Sequence, residues 1–453
     1  MIDIPKMLIK RIIFPLALLF SGRKEWSRIY NESVAKPFRS YSENISERNL
    51  LLYKLCTYAM EHVPYYKRLK DQLHIMLMPE TIETDILQFP ILTKKIIRTE
   101  GSNLYTDEPI PFDVDTSGGS TGEPVEIHRD RRLKLYDANT YFMTYGGYEL
   151  GDKFLVLWGS ERDIIKGTIG IRAKIINKFV RRSKFVNSFL LSDKGMEDCV
   201  ALINRWKPKV IRAYVQSVYE LAQYIDNNKV EVYSPKCIIT SAGTLYPEWK
   251  LYIEKIFNCP VINQYGSREV DGIAIGCTFD NHLHCNMFTN YVEIANDKGE
   301  RFPAGKDGNI LVTNLLNYAM PLIRYEIGDV GVLESSTVCK CGRNTPLLRS
   351  VKGRTVHIFK TKDGKKIDGE YFTHLFYGKK WVKRFQVIQK SYEIIELHIE
   401  LTNGYIEPNK EDITDIKGKI QLTMGKGCKI LVMVEDIIQP LKSGKYLYTI
   451  SEI

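Results

Sequence analysis

The sequence has no long uninterrupted hydrophobic run, no dense cysteine framework and no low-complexity tract. Its apolar stretch near the start, residues 8–20, is interrupted by Lys10, Arg11 and Pro15 and is shorter than the roughly 20 residues of a membrane-spanning helix. We therefore do not expect it to cross a membrane. No small-x-small cleavage site follows Phe20, which disfavours a signal peptide. Two interpretations remain: a helix docked on the protein, which we favour, or a membrane-surface anchor.

Cysteine is also too sparse for a stapled secreted domain. The chain has 9 cysteines in 453 residues, an odd number at low density. Free thiols are typical of a reducing compartment. We therefore predict a cytoplasmic protein, and any membrane contact of residues 8–20 would be peripheral, at the inner face.

The charge balance has no strong excess of one sign. The chain carries 64 basic and 54 acidic residues, a formal net charge of +10. This excess favours anionic partners such as nucleotides, nucleic acid or a lipid surface, without choosing among them. The basic residues are spread out and form no patch interleaved with aromatic residues, so a nucleic-acid partner is the least favoured of the three. The sequence does not fix the oligomeric state.

Internal repeats are absent as well, and the pattern of apolar runs changes twice along the chain. Residues 25–100 are helical in pattern, and the helix over residues 49–60 should stop before Pro64. Short apolar runs then alternate with helical stretches. The predicted strands are residues 154–158, 210–214, 237–240 and 260–263, and the predicted helices are residues 217–227 and 247–257. This alternation predicts an α/β fold with parallel or mixed sheets, and ligands at the strand ends.

The last hundred residues have a different pattern. Strands are predicted at residues 356–359, 385–389, 394–401 and 429–434, with one helix at residues 409–424. Because 453 residues exceed the roughly 250–300 at which a single core stops growing, two domains are expected. We predict a large N-terminal domain over residues 1–353, with a mainly helical lead-in at 1–110, and a small mobile α+β domain over residues 354–453.

One loop carries most of the chemistry visible in the sequence. Residues 115–124 hold three glycines and several hydroxyl side chains, so that backbone N–H groups and hydroxyls can surround an anion. The loop lacks the Gly-Lys-Ser/Thr ending of a Walker loop. Taken alone, it would be interpreted more safely as a surface turn rich in small residues.

Three further motifs follow the loop in a fixed order. They are residues 264–269 (QYGSRE), 325–329 (YEIGD) and 352–354 (KGR). Together with the loop they resemble the motifs of the adenylate-forming superfamily. Within it, residues 59–66 (AMEHVPYY) and 339–343 (CKCGR) resemble phenylacetate–CoA ligase-like proteins of the capsule-biosynthesis type. The resemblance covers about residues 50–450, and it implies a ligase that uses ATP to activate a carboxylic acid.

The resemblance also implies roles for individual residues. The phosphates of ATP would be held by Thr116, Ser117, Gly118, Gly119, Ser120, Thr121 and Gly122. The adenine would be lined by Ser241, Ala242, Gly243, Gln264, Tyr265, Gly266 and Ser267, with Tyr265 stacked on the ring. Glu269 would help to bind Mg²⁺, which prefers oxygen ligands, and Asp329 would accept hydrogen bonds from the ribose hydroxyls.

Two basic residues of the second domain would complete the site. Arg354 resembles the arginine at the domain boundary that contacts nucleotide oxygens. Lys445, in the sequence Ser443-Gly444-Lys445, resembles the lysine that neutralises charge developing in the adenylation transition state. Because Lys445 lies on a separate domain, rotation of that domain would gate the reaction.

The chain departs from the superfamily pattern at several positions. Arg268 stands where threonine is usual, Val125 follows the loop proline, and Thr355 to His357 lack the usual hinge aspartate. Arg268 would contact the α-phosphate or signal a different substrate. The alternative of a nucleotide-binding protein without catalysis stays open, and the second half-reaction is less secure than adenylation.

The cysteines near the end of the large domain suggest a metal site. A tetrahedral zinc site needs four N or S ligands, and Cys277, His282, His284 and Cys285 lie upstream of the Cys339-Lys340-Cys341 motif. Some relatives carry such a site, and the resemblance selects Cys277, His284, Cys339 and Cys341. Free thiols are the competing interpretation.

The sequence does not identify the acid or the acceptor. Tyr141, Tyr145 and Trp158 could wall the acid site, although such aromatic residues more often belong to the core. CoA is the favoured acceptor. A carrier-protein thiol and a sugar amine or hydroxyl are the alternatives, and the resemblance suggests a role in surface polysaccharide biosynthesis.

Overall fold

The structure, a computed structural model, describes the protein over twelve stretches of the chain. They are residues 6–14, 16, 26–116, 125–132, 138–158, 182–187, 193–335, 338–352, 358–376, 379–402, 404–438 and 448–453. Helices and strands are numbered in chain order within these residues. Among them, no helix is both long and apolar enough to cross a membrane.

The first hundred residues are helical, as predicted. The helices are α1 (Lys6–Leu8, continued by a π-helical turn, Ile9–Ile13), α2 (Trp26–Ala35), α3 (Tyr41–His62), α4 (Pro64–Leu73), α5 (Ile82–Asp85) and α6 (Lys94–Glu100). Helix α3 begins with a capping box, in which Ser40 Oγ accepts the Glu43 N–H and Glu43 accepts the Ser40 N–H. It ends at His62 because Val63, which precedes Pro64, is extended. The predicted helix over residues 49–60 is therefore confirmed, within a longer one.

An eleven-stranded mixed sheet forms the centre of the large N-terminal region. Five neighbouring strands run parallel, and their order is β4 (Ser183–Asn187), β3 (Phe154–Trp158), β5 (Val210–Tyr214), β6 (Cys237–Ser241) and β7 (Val261–Ser267). Helices α8 (Asp193–Trp206), α9 (Val215–Asn228) and α10 (Pro247–Phe257) connect them. Their apolar faces pack on these strands in one buried cluster that includes Leu157, Ile203, Leu221 and Ile253.

The other half of the sheet is antiparallel. From β7 outward its order is β8 (Asp271–Cys277), β9 (Asp280–Cys285), β13 (Leu347–Lys352), β12 (Tyr325–Leu333), β11 (Gly308–Asn314) and β10 (Asn290–Ala295). Strand β7 is the junction, parallel to β6 and antiparallel to β8. The expected α/β fold with a parallel or mixed sheet is thus confirmed, and the junction strand carries residues 264–267 of the second motif.

A separate antiparallel hairpin frames the predicted phosphate loop. It pairs β1 (Phe112–Thr116) with β2 (Glu126–Asp130), and Thr116 lies opposite Glu126. Residues 117–124 between them lie outside the described residues. Helix α7 (Ala138–Met143) follows the hairpin and packs under β8 and the end of β7.

The C-terminal region forms its own α+β core, as predicted. A hairpin of β14 (Ile358–Lys360) and β15 (Lys366–Asp368) leads into α11 (Glu370–His374). A four-stranded sheet follows, with strands β16 (Val382–Ser391), β17 (Ile394–Leu401), β18 (Lys429–Val434) and β19 (Thr449–Ser451), and it is covered by α12 (Lys410–Met424). One buried cluster of residues from Phe359 to Tyr448 joins these elements.

The C-terminal region contacts helix α9 through a small polar surface. Lys365 Nζ lies 3.0 Å from Glu220 Oε1, and the side-chain amide of Gln216 donates to the Lys366 carbonyl at 3.5 Å. The rings of Tyr214 and His374 meet edge to face, 5.3 Å apart. Polar, sparse contacts of this kind are typical of domains that move relative to each other. The predicted boundary at residues 353 and 354 lies outside the described residues and stays a prediction.

Candidate functional site

Two pairs of side chains join the second and third motifs across the antiparallel half of the sheet. The Tyr265 hydroxyl donates to Asp329 Oδ2 at 2.8 Å, and the Tyr325 hydroxyl donates to Glu269 Oε1 at 3.2 Å. In each motif the tyrosine and the acid are four residues apart, so each motif supplies one tyrosine and one carboxylate to its partner. We call these four residues the carboxylate frame. It orients the two carboxylates that the sequence assigned to ribose and magnesium.

Glu269 is the buried member of the frame. Its side chain is 5% exposed, and Lys94 Nζ lies 3.2 Å from its Oε1. Burial is the largest single influence and opposes the charged form, but the charge of Lys94 and hydrogen bonds from Lys94, Ser267 and the backbone together hold the pKa of Glu269 below its ordinary value. Glu269 is therefore an anion that already has a cation beside it.

Lys94 was not identified from the sequence, although its position follows from local structure. Thr93 caps helix α6 by accepting the Ile96 N–H, and Lys94 is the first helical residue. Backbone hydrogen bonds join Leu92 to Arg324 and Glu326 at 3.1 and 3.0 Å, which holds the start of α6 against strand β12. Lys94 is thereby brought to Tyr325 and Glu269. A lysine at a helix start carries no signal of this pairing in the sequence.

The hairpin that frames the phosphate loop is tied to the second motif. The Arg129 guanidinium donates to the backbone carbonyl of Arg268 and lies 3.5 Å from Asp115. The backbone N–H of Thr116 donates to Asp115 Oδ1 at 2.9 Å. The two ends of the loop are therefore fixed close to Glu269. Of the predicted phosphate-binding residues, only Thr116 is described, because Ser117 to Gly122 lie outside the described residues.

A cavity of about 270 Å³ separates the hairpin from the second motif. Its lining includes one arginine, Arg129, and five carboxylates: Asp113, Asp115, Asp130, Glu269 and Asp271. Four of these carboxylates already pair with a basic side chain: Asp113 with Arg131, Asp115 with Arg129, Asp130 with Arg132 and Glu269 with Lys94. The cavity is therefore polar, with most of its acidic groups paired.

The predicted adenine-lining residues lie at the carboxyl ends of neighbouring strands. Ser241 ends β6, and Ala242 follows it with φ 53°, a left-handed conformation that alanine rarely adopts. Gly266 could not be replaced without strain, because a Cβ there would lie 2.5 Å from the Asp271 carbonyl oxygen. The side-chain amide of Gln264 donates to Asn139 at 3.3 Å, whereas the hydroxyl of the next residue, Tyr265, donates to Asp329. This is expected because successive side chains of a strand point to opposite faces of the sheet. Tyr265 therefore faces the frame and Gln264 the opposite side.

The second domain's two predicted residues, Arg354 and Lys445, lie outside the described residues. The aromatic residues proposed as an acid-site wall do not come together. Tyr141 and Tyr145 are buried and share a hydroxyl contact of 3.1 Å in the core, while Trp158 packs on Tyr214 with ring centres 4.2 Å apart. The core interpretation is therefore confirmed for Tyr141 and Tyr145.

A second constellation, which we call the cysteine–histidine cluster, joins Cys277, His284, Cys339 and Cys341. One donor atom from each lies within 4.8 Å of all the others. Cys277 Sγ is 3.6 Å from Cys339 Sγ, and Cys341 Sγ is 3.4 Å from His284 Nε2. In a tetrahedral zinc site, bonds of about 2.3 Å put sulfur atoms roughly 3.8 Å apart. The four residues chosen by resemblance therefore come together with spacings that fit the metal.

Local structure orients the cluster. His284 Nδ1 lies 2.9 Å from Thr345 Oγ1, an arrangement that directs Nε2 at Cys341. Gly342, with φ 77°, turns the chain after Cys341, and its N–H donates to the Cys339 carbonyl at 3.0 Å. The thiol hydrogen bond from Cys277, helped by His284, lowers the pKa of Cys341 to about 2. The same bond and burial raise the pKa of Cys277.

The two other candidate ligands lie elsewhere. His282 contacts Asp280 at 2.9 Å and Glu334 at 3.3 Å, and Cys285 is buried on the opposite side, near Arg48. Strand alternation explains Cys285, which faces away from His284. His282 shares the face of His284, but its ring is held by Asp280 and Glu334 instead.

Known proteins resemble the chain in both domains. Residues 359–452 match the family described as the CapK C-terminal domain. Protein CapK of Staphylococcus aureus is 22% identical over 448 residues, which cover 95% of this chain and 94% of that protein. The chain is similar to CapK along almost its whole length, and its C-terminal region matches the CapK family. Phenylacetate-coenzyme A ligase of Thermus thermophilus is 24% identical over 333 residues, covering 67% and 68% of the two chains.

Solved structures confirm the adenylate-forming fold. The crystal structure of 2-hydroxyisobutyryl-CoA ligase with 2-HIB-AMP and CoA, in the thioesterification state, matches with a TM-score of 0.62. Its sequence is 18% identical, and the match covers 92% of each chain. The same ligase in the postadenylation state with R3-HIB-AMP matches with a TM-score of 0.57, at 18% identity and 91% coverage of each chain. The chain thus shares both the large domain and the C-terminal domain of this fold.

Proposed function

We propose that this protein joins a carboxylic acid to ATP as an acyl-adenylate, releases pyrophosphate and then transfers the acyl group to CoA. The observation that carries the proposal is the carboxylate frame beside the hairpin of residues 112–130. The frame joins Glu269 and Asp329, two acids from separate motifs, to the tyrosines of each other's motifs, and Arg129 ties the hairpin to residue 268, next to Glu269. The relatives named above include a CoA ligase, which supports the same reaction class.

The chemistry balances in two steps. A carboxylate oxygen of the acid attacks the α-phosphorus of ATP, and the bond from that phosphorus to the bridging oxygen of pyrophosphate breaks. In the second step the thiol sulfur of CoA attacks the acyl carbon. The bond from that carbon to AMP breaks, and the thiol proton passes to solvent.

The chain's own residues bind and orient the nucleotide in this proposal. Asp329, held by Tyr265, accepts hydrogen bonds from the ribose hydroxyls. The phosphates lie in the loop from Thr116 to Gly122, and the adenine lies against Ser241, Ala242, Gly243 and residues 264–267. Arg268 contacts the α-phosphate and Arg354 contacts other nucleotide oxygens. Lys445 neutralises the charge that develops on the carboxylate and the α-phosphate.

Magnesium fits the donor set around Glu269. Oxygen ligands suit a hard cation, and Glu269 supplies carboxylate oxygens at the edge of the neighbouring cavity. When bound, the metal would neutralise the charge of the phosphates, and Glu269 would be its protein ligand. Lys94 Nζ lies 3.2 Å from the same carboxylate.

Zinc fits the cysteine–histidine cluster, in which three sulfur atoms and one imidazole nitrogen converge. We propose a closed, structural site. It joins the end of β8 to the loop after β12, and so fixes the sheet that carries the carboxylate frame.

CoA is the acceptor that we favour, with a carrier-protein thiol or a sugar amine or hydroxyl as the alternative acceptors. The resemblance to proteins of the capsule-biosynthesis type supports a product used in surface polysaccharide biosynthesis. Arg268 and the sequence after Arg354 motivate a second candidate, a nucleotide-binding protein that has lost catalysis.

The deciding experiment measures acid-dependent exchange of labelled pyrophosphate into ATP against a pooled library of aryl, fatty, hydroxy and amino acids. We expect exchange with at least one pool, and a fall of about a hundredfold or more in Lys445→Ala. The matched control is Lys442→Ala, which removes a lysine three positions away and should keep full exchange.

Two outcomes would contradict the proposal. Tight AMP or ATP binding with no exchange in any pool would favour the nucleotide-binding alternative. An equal loss in Lys442→Ala and Lys445→Ala would assign the effect to the segment and not to the ammonium group of Lys445.

The acceptor needs a separate measurement. AMP release that appears only on addition of CoA would identify CoA as the acceptor.

A further inference from the structure

Helix α1 and the π-helical turn after it have an apolar face directed away from the protein. Met7 is 63% exposed, Leu8 41%, Ile12 50% and Leu16 47%. Leu8 and Ile12 are four residues apart, so they lie on the same side of this segment, and Leu16 follows at the same spacing in the sequence. We call Met7, Leu8, Ile12 and Leu16 the outer face of α1.

The opposite side of the same segment is anchored in the protein. Ile9 is 1% exposed, and Phe14 packs on the buried cluster that contains Tyr30, Tyr141 and Cys339. A helix on the surface of a soluble domain normally has one apolar side, turned inward, and a polar side toward water. This segment also exposes large apolar side chains on its outer side, beside the exposed Arg11, although the inner side alone accounts for its docking. The outer face therefore needs an apolar environment of its own.

The charges around the outer face identify what would cover it. Residues 1–24 contain five basic residues, Lys6, Lys10, Arg11, Arg23 and Lys24, and one acidic residue, Asp3. Arg11 is exposed beside Ile12. A second copy of the chain on the same face would bring identical basic segments together across a two-fold axis, which is unfavourable. An anionic lipid surface supplies both an apolar layer and the opposite charge.

Other exposed apolar side chains lie close to the core on which α1 docks. Phe279 is 64% exposed and two residues from Cys277, and Val338 is 79% exposed and adjacent to Cys339. Both cysteines belong to the buried cluster that Phe14 contacts. Lys340, between Cys339 and Cys341, is exposed. Apolar and basic side chains thus surround the docking site of α1 as well.

We propose that the outer face of α1 docks the protein on an anionic lipid bilayer, with the helix lying in the plane of the surface. The four apolar side chains enter the boundary between headgroups and acyl chains, while Arg11 and its basic neighbours contact lipid phosphates. The inner side of α1 stays packed on the protein, so docking requires no unfolding of the domain. The adenylation site is then held at the membrane surface.

The test is co-sedimentation of the full chain with vesicles of phosphatidylglycerol and phosphatidylcholine, compared with vesicles of phosphatidylcholine alone. We expect binding to the anionic vesicles that weakens with salt. Ile12→Glu should weaken this binding roughly tenfold or more, since a buried isoleucine contributes about 1.5–3 kcal/mol, and a tenfold change is about 1.4 kcal/mol. Arg11→Glu should weaken it at least roughly fivefold, from about 1 kcal/mol per basic residue.

The matched control is Ile406→Glu, which makes the same change at a side chain that is 97% exposed in the C-terminal region. It should bind vesicles like the unmodified chain. Thermal unfolding should change little in Ile12→Glu, because half of this side chain is already exposed. The proposal is overturned if the unmodified chain does not bind anionic vesicles, or if Ile12→Glu binds them as tightly as the unmodified chain does. It is also overturned if light scattering shows a dimer that Ile12→Glu dissociates, since a second copy would then cover the face.

Discussion

The carboxylate frame and the cysteine–histidine cluster are both sets of four convergent polar side chains, but they are held in different ways. In the frame, each acid has a hydroxyl partner, and Glu269 also has Lys94. In the cluster, the donors contact one another, Thr345 and the backbone of Phe279 and Arg343. The charge of Glu269 in the frame is thus balanced by a protein cation, whereas the cluster is a set of electron-pair donors with the spacing of a metal site.

This difference separates a site that exchanges ligands from a site that keeps one. A carboxylate with its own ammonium partner can bind and release a metal–nucleotide complex without leaving a buried charge unpaired. Three thiols and an imidazole at van der Waals distance gain their full stabilisation only with a metal in the middle. We therefore expect mutations in the cluster to affect folding, and mutations in the frame to affect binding, catalysis and their pH dependence.

The largest effect is expected for Cys341→Ala. If the cluster holds structural zinc, the variant should lose close to one equivalent of metal and several kcal/mol of unfolding free energy, on the order of 3 kcal/mol or more. Metal analysis of the purified protein and chemical denaturation measure the two quantities.

Cys285→Ala is the matched control for that variant. Cys285 is buried, more fully than Cys341, and is adjacent to His284 in sequence, but it lies outside the cluster. It should keep the metal and lose only the contribution of a small core side chain, about 1 kcal/mol. Unmodified protein without zinc near one equivalent would contradict the zinc proposal and leave the four residues as free thiols.

A smaller effect is expected for Lys94→Met, which removes the cation beside Glu269 but keeps the volume. The buried carboxylate is left without its partner, which should cost about 3 kcal/mol at neutral pH. The exposed neighbour Lys95 supplies the control, and Lys95→Met should change stability very little.

The pH dependence of the stability difference distinguishes a charge effect of Lys94 from a packing effect. In the unmodified protein the pKa of Glu269 is depressed, so its contribution to stability is present above the ordinary value of 4.5 and is lost as pH falls through the lower folded value. In Lys94→Met, burial should raise the pKa above 4.5, so the penalty is relieved as pH falls through that raised value. The stability difference between the two proteins should therefore shrink on acidification. A difference that stays constant from pH 7 to pH 4 would show that Lys94 acts by packing and not by charge.

The sequence predicted most of the regular structure, because it depends on local patterns. The helix Pro247–Phe257 and the strands Ile394–Leu401 and Lys429–Val434 have the predicted bounds. Each is framed by signals that act over a few residues: proline at a helix start, or apolar alternation bounded by turns. The antiparallel half of the large sheet was not predicted in detail, since its pairing joins strands that are distant along the chain.

In the candidate site, too, the sequence predicted the residues that belong to local motifs, but not the contacts between distant parts of the chain. Glu269 and Asp329 were identified by motif, and so were the four members of the cysteine–histidine cluster. Lys94, the partner of Glu269, and Arg129, which ties the hairpin to residue 268, were not identified. Each becomes relevant only through a contact that is distant along the chain: Leu92 with strand β12, and the hairpin with residue 268. Tyr325 stood inside a motif, but its contact with Glu269 depends on how β12 lies relative to the end of β7.

The smallest effect, and the sharpest comparison within the frame, is expected from two matched variants. Tyr265→Phe and Tyr325→Phe each remove one hydroxyl that donates to a carboxylate, at 2.8 and 3.2 Å. A hydrogen bond to a charged group is worth roughly 1.5–3 kcal/mol when buried, and about half of that is expected for the more exposed Asp329 pair. Tyr265→Phe should therefore weaken AMP binding about fivefold, and the pH at which the exchange rate falls on acidification should stay the same. Tyr325→Phe should raise the pKa of Glu269, so that the exchange rate falls at a higher pH, with a smaller change in AMP affinity. Isothermal titration with AMP and exchange rates across pH separate the two. Equal effects of both variants on both measurements would mean that the frame acts as one rigid unit, without separate ribose and metal positions.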